Sequence, residues 1–168
     1  MAAEAGPLAG ASSIHSEPYP PEFAVDGDPQ TRWASQGFAD KPEWLQIDFG
    51  KSISVTSLAI HWERAHAVHY QIQVSDDARR WQTVHECTDG KGGQETITGL
   101  EAKGRYLRVL CLKPAQWGLA SIWEITFPGG EAGKVFAEIR RRAGEVRRKA
   151  EMDAARHLTT RLAEHGVE

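Results

Sequence analysis

The chain has 168 residues, 40% hydrophobic and 26% charged, which suits one globular domain plus an appendage. Its net charge of −3 excludes a general electrostatic pull towards nucleic acid or anionic membrane. Only two cysteines occur, Cys87 and Cys111, and no CxxC spacing, so a disulfide framework or cysteine-rich zinc site is excluded.

In chain order, "MAAEAGPLAGASS" has neither the basic region nor the apolar run of an intact signal peptide. Residues 1–9 read as a disordered or artificially added start. Residues 24–35, "AVDGDPQTRWAS", place Asp26 and Asp28 around Gly27, with Thr31 close behind. Such a stretch is either a plain Asx-type turn or a loop whose oxygens hold a hard cation such as Ca²⁺. An EF-hand is excluded, because the twelfth position from Asp26 is Gly37 rather than a bidentate glutamate. Trp33 is expected to pack under the loop and Arg32 to brace an acidic neighbour.

From Trp44 to Phe127 short apolar alternations follow one another. Leu45, Ile47 and Phe49 share a face in "WLQIDFG", Leu58, Ile60 and Trp62 in "VTSLAIHW", and Tyr70, Ile72 and Val74 in "YQIQVS". "WQTVHEC", "ETITGL", "RYLRVLCL" and "SIWEITF" continue the series, and "FGKS", "SDDARR", "DGKGG" and "EAKG" read as turns between them. Seven or eight such strands with no helical pattern between them predict an all-β, antiparallel sandwich whose sheets each keep one wet face. Cys87 and Cys111 form a bridge only if their strands are neighbours; two buried thiols are the simpler expectation.

After Pro128 the period changes. Val135, Ile139, Ala143, Val146, Ala150, Ala154, Leu158 and Leu162 recur at helical spacing, and Glu138–Arg142 and Glu145–Lys149 are favourable pairs four residues apart. Glutamates interleave with the arginine clusters, so this reads as a solvated helix face rather than a nucleic-acid surface. Residues 129–168 are expected to be a helical linker or the leading edge of a following domain.

"FAVDGDPQTRWAS", "WLQIDFG", "LAIHWERAHAVHYQIQVSDDARRWQTV", "GRYLRVLCL" and "SIWEITF" together resemble the coagulation factor V/VIII type C (discoidin) domain, most closely family 32 carbohydrate-binding modules. The resemblance covers residues 10–128. It implies a galactose-binding-domain-like jelly roll that binds glycans and serves as a non-catalytic module of a secreted, cell-surface or periplasmic bacterial protein. It further implies a structural calcium. Matched position by position, its ligands would be the side chains of Asp26, Thr31 and Glu124 with main-chain oxygens of Phe23, Asp28 and Trp123.

Sugar sites combine an aromatic platform with polar side chains that fix hydroxyls, and loops at one end of a sandwich are the natural place for them. "WERAHAVHY" offers Glu63, Arg64, His66 and His69 between two strands; Trp117 and Phe38 are the aromatic candidates. Their plainer readings are a Glu63–Arg64 pair across the turn and an ordinary surface role for His69. These loops lack the asparagine that many galactose-binding members of the resembled family use, so galactose specificity is not expected.

An enzyme is disfavoured: there is no GxSxG, HExxH or P-loop, and Glu63, His66 and His69 are not spaced to converge as they would on a helix. The expectation is a monomeric module tethered to other domains, with carbohydrate as partner and neither nucleic-acid binding nor membrane insertion. The rival is a protein- or phospholipid-binding discoidin domain.

Overall fold

A computed structural model describes residues 8–164. Residues 1–7 of the expected start and 165–168 of the helical extension lie outside the described residues.

Alternation of apolar and polar side chains makes strands, because burying one face fixes every second residue. In chain order these are β1 (Ala9–Ala11), β2 (Trp33–Ala34), β3 (Glu43–Val55), β4 (Leu58–Trp62), β5 (Ala67–Ser75), β6 (Gln82–Cys87), β7 (Gln94–Ile97), β8 (Ala102–Pro114) and β9 (Ser121–Thr126). They form a five-stranded sheet, β1-β3-β8-β5-β6, and a four-stranded sheet, β2-β9-β4-β7. Every pairing is antiparallel. The all-β sandwich expected from the alternation is therefore the fold.

Leu45 and Ile47 of β3 sit beside Val109 and Leu107 of β8, which in turn flank Ile72 and Val74 of β5. These side chains join Leu58, Ile60 and Trp62 of β4, Ile122 and Ile125 of β9, and Trp33 in one buried cluster. Each fully buried aliphatic or aromatic side chain contributes roughly 1.5–3 kcal/mol of transfer free energy. Trp33 is fully buried, as expected, and donates its indole N–H to Ser13 O at 3.0 Å.

Two expected turns are absent. "FGKS" lies inside the continuous β3, where the register with β8 shifts between Asp48 and Ile53, so the extra residues bulge rather than reverse the chain. The end of "EAKG" is already strand: Lys103 pairs with Ser54 and Gly104 with Ile53.

Cys87 and Cys111 are both free. Each pairs in register with Tyr70 from opposite sides of β5, on β6 and β8. Two strand spacings put them roughly 10 Å apart, beyond disulfide reach.

The helix α1 (Gly130–Glu164) follows β9. The compact sandwich unit runs on to Phe136, past the boundary placed at 128. Ala132 and Phe136 are buried, the Phe136 ring meets Phe127 edge-on at 5.0 Å, and Glu131 accepts the Ser54 N–H at 2.8 Å. Gly133 permits this approach, since a Cβ there would lie 2.7 Å from Phe127 O. From Ala137 onwards the helix is a separate unit. Within it Glu138 accepts from Arg142 at 2.8 Å, as the spacing predicts, whereas Glu145 pairs with Arg141 rather than forming the expected link to Lys149. No helix among the described residues is long and apolar enough to cross a membrane.

Candidate functional site

Three connections meet at one end of the four-stranded sheet: residues 63–66 between β4 and β5, 88–93 between β6 and β7, and 115–120 between β8 and β9. Backbone bonds knit them together. Glu63 N–H donates to Ser121 O at 3.0 Å, Ser121 N–H to Ala65 O at 2.7 Å, Ala115 N–H to His66 O at 3.0 Å, and Trp62 N–H to Gly93 O at 2.8 Å. Between them opens a cleft of about 600 Å³.

Four of the predicted ligand residues, Glu63, Arg64, His66 and Trp117, line it together. Glu63 does not pair with Arg64; its carboxylate accepts the Ala65 N–H at 3.0 Å and stiffens its own turn. His66 Nδ1 lies 3.2 Å from Arg64 O. The imidazole stands against Gly92 at φ +73°, where a Cβ would come within 2.7 Å of Nδ1. Any larger residue at Gly92 would displace His66.

Trp117 is 68% exposed, unusual for so large an apolar side chain. It occupies the left-handed region at φ 62°, and Gly118 N–H reaches back to Gln116 O at 2.6 Å. That is a γ-turn of the strained hand, centred on a non-glycine residue. The strain holds an indole out over the cleft.

Two predicted residues lie elsewhere. Phe38 donates its N–H to Gly118 O at 3.0 Å while its half-buried ring packs on the core, so it supports the Trp117 loop from behind. His69 belongs to β5 in the other sheet, its Nε2 2.7 Å from Glu86 Oε1. A strand alternates its faces, and the step from His66 to His69 carries the side chain out of the cleft.

Lys91, Gly92, Gly93, Gln116 and Trp123 also line the cleft and escaped sequence reading. Glu95 on β7 organises the Lys91–Gly92 turn. Its Oε1 accepts the N–H groups of Lys91 at 2.8 Å and Gly92 at 3.1 Å. Its Oε2 accepts the Trp62 indole N–H at 3.1 Å and the Tyr70 hydroxyl. Burial, then this bond to Glu95, pushes the Tyr70 phenol far above its ordinary range. Nothing in "ETITGL" distinguishes Glu95 from a solvent-facing strand residue, so the sequence carried no signal for it.

The residues of the expected cation loop lie at the neighbouring edge, where among the described residues no three carboxylate, imidazole or thiol groups gather into a metal cluster. Thr31 Oγ1 lies 2.8 Å from Asp26 Oδ2, 3.1 Å from Asp28 O and 3.4 Å from Phe23 O. A hydroxyl has one proton to donate, so this convergence leaves surplus lone pairs facing one another, the arrangement a hard cation neutralises. Both carboxylate oxygens of Glu124 reach the same loop, accepting Gly27 N–H at 3.3 and 3.1 Å. Trp123 precedes Glu124 in β9. The oxygen-only donor set fits calcium in kind. Arg32 donates to Ser121 Oγ at 2.7 Å and lies over the Tyr19 and Trp123 rings at 4.1 and 5.6 Å, so aromatic faces brace it.

A family model described as F5/8 type C domain matches residues 9–125. The chain is 37% identical to chitosan-binding module 1 of a chitosanase/glucanase from Paenibacillus sp. IK-5, with a TM-score of 0.66 over 70% of this chain and 90% of that one. Module 2 of the same enzyme, solved with chitotriose, is 34% identical with a TM-score of 0.67, covering 72% and 95% of the two chains. A family 32 module of NanJ from C. perfringens, in complex with galactose, shares the fold at a TM-score of 0.61 and 24% identity, over 70% of this chain and 89% of that one. The polysaccharide lyase 8 family protein HylA of Enterococcus faecalis is 37% identical over 99 residues, which is 55% of this chain but only 7% of that protein's length. The sandwich, its end-on cleft and these matches agree: the chain belongs to the F5/8 type C domain family, and its solved neighbours are carbohydrate-binding modules.

Proposed function

We propose that this domain is a non-catalytic glycan-binding module, stabilised by calcium, that directs a larger secreted protein to polysaccharide. The observation that carries the reading is the exposed indole of Trp117, held by a strained turn over a cleft that also presents Glu63, Arg64 and His66. An indole face offers a pyranose ring its C–H contacts, and the charged groups make the stronger hydrogen bonds to hydroxyls. The relatives that are modules of chitosanase/glucanase or lie within a polysaccharide lyase family protein support a role tethered to an enzyme. An open site that takes one or two sugar rings buries few atoms, so single-site affinity is on the order of 10⁻⁴ M. Tethering to an enzyme on a polymeric substrate raises the effective concentration and compensates.

A glycan array followed by calorimetry on the hits tests this. Trp117→Ala should weaken binding at least about tenfold, while the melting temperature stays close to wild type because the side chain packs on little. Binding to anionic liposomes with no glycan hit would replace this reading with that of a phospholipid-binding domain.

A further inference from the structure

We propose that the distal part of α1, residues 137–164, pairs antiparallel with the same helix of a second copy of this chain, giving a dimer with two clefts in place of the monomer expected from sequence. Six large apolar side chains are exposed among the described residues, and four of them, Val146, Met152, Leu158 and Leu162, lie on this helix. Val146, Leu158 and Leu162 continue a stripe that begins at Ile139 and includes Ala143, Ala150 and Ala154, at steps of three and four residues. Val146 is 71% and Leu158 63% exposed, so the stripe meets water along its length. Among the described residues the unit that starts at Ala137 is this helix alone, and nothing within it covers the stripe. A helix gains most of its stability in water by burying such a face, and Gly144 weakens this one further.

Size and charge together select a second copy and its direction. With a two-fold axis beside Ala150, Ile139 comes opposite Leu162, while Ala143 meets Leu158 and Val146 meets Ala154, so the inner layers pair large side chains with small ones. A parallel pair in register would set alanine on alanine at 143, 150 and 154 and leave gaps between the valine and leucine layers. Charge runs the same way. In residues 137–149, Arg140, Arg141, Arg142, Arg148 and Lys149 outnumber Glu138 and Glu145; in residues 150–164, Glu151, Asp153 and Glu164 outnumber Arg156 and Arg161. Parallel copies would lay basic half on basic half, whereas antiparallel copies lay basic on acidic. Arg141 and Arg142 are engaged by Glu138 and Glu145 of their own helix, which leaves Lys149 for Asp153 of the other copy. On the glycan-binding reading, two clefts in one dimer hold a polymer at two points and raise its avidity. The pairing of the helices does not depend on that reading.

Sedimentation equilibrium of the whole chain tests this. The mass should approach twice the 18.6 kDa of one chain at about 100 µM and fall towards one chain near about 1 µM. Val146→Glu combined with Leu158→Glu, both at exposed positions, should hold the mass at one chain throughout while the sandwich melts as in wild type. In a Cys87→Ser background, Ile139→Cys and Leu162→Cys chains should cross-link on oxidation when mixed and not when alone, because an antiparallel pair brings each position to the other. A single-chain mass at every concentration, a dimer that survives both glutamates, or cross-linking of either cysteine variant with itself would overturn the inference while leaving the glycan-binding reading intact. A dimer that binds no glycan on the array would sink that reading and leave the helix pair standing.

Discussion

A single glycine decides where the cleft's histidine stands. Gly92 takes φ +73°, and a Cβ there would sit 2.7 Å from His66 Nδ1 and 2.9 Å from its Cγ. Gly92→Ala thus meets two penalties, a left-handed backbone and a ring that must turn away. It is expected to cost about 1–2 kcal/mol of stability and a larger share of glycan affinity. Chemical denaturation and calorimetry on the same variant separate the effects; wild-type affinity in the variant would mean that His66 does not contribute to binding. Trp117 is the counterpart: its strained turn lies at φ 62°, yet it packs little, so truncation there should spare stability.

At the scale of elements, Glu95 joins β7 to β4, β5 and the turn before it. One carboxylate receives four donors, from Trp62, Tyr70, Lys91 and Gly92. Glu95→Gln keeps the shape but turns an NH₂ towards some of those donors, and should lower stability by about 2–4 kcal/mol while loosening the Lys91 side of the cleft. The same contact sets an alkaline limit. Tyr70 keeps its proton in the folded state well above the usual phenol range, so the unfolded chain loses that proton first as pH rises. Stability is fully present below about pH 10 and falls above it, because the unfolded state then binds fewer protons. Denaturation midpoints between pH 9 and 11 read this out, and Tyr70→Phe should flatten the decline. The central strands were legible in sequence because one buried face imposes a period of two on them. β1 and β2, three and two residues long, are too short to show a period. "FGKS" looked like a turn because local turn chemistry cannot reveal that β8 continues alongside it. Glu63, Arg64 and His66 were legible as a cluster within one loop, whereas Glu95 reaches Trp62 across 33 positions through the β4–β7 pairing. His69 misled because three residues along a strand leave the face that three residues within a loop can share.

For the whole sandwich, the loop proposed to hold calcium matters most, because it joins distant parts of the chain. Gly27 and Glu124 are 97 positions apart and are linked here by a hydrogen bond to a carboxylate. The Phe23, Asp26 and Asp28 oxygens crowd one hydroxyl of Thr31, and with Glu124 they would hold a calcium ion between the first loop and the last strand. An ion that binds only the folded chain stabilises it by about 2.7 kcal/mol when present at about a hundred times its dissociation constant. EDTA should therefore lower the melting temperature by several degrees, and added calcium should restore it. Asp26→Ala removes a carboxylate ligand and should melt near the EDTA value with or without calcium. Glycan affinity should fall little when calcium is removed, since the loop lies outside the cleft and acts through the position of β9, where Trp123 lines the cleft and Glu124 faces the loop. A melt indifferent to both EDTA and calcium would mean that the Thr31 hydroxyl and the Gly27 amide already satisfy these oxygens, leaving the loop an Asx-type turn.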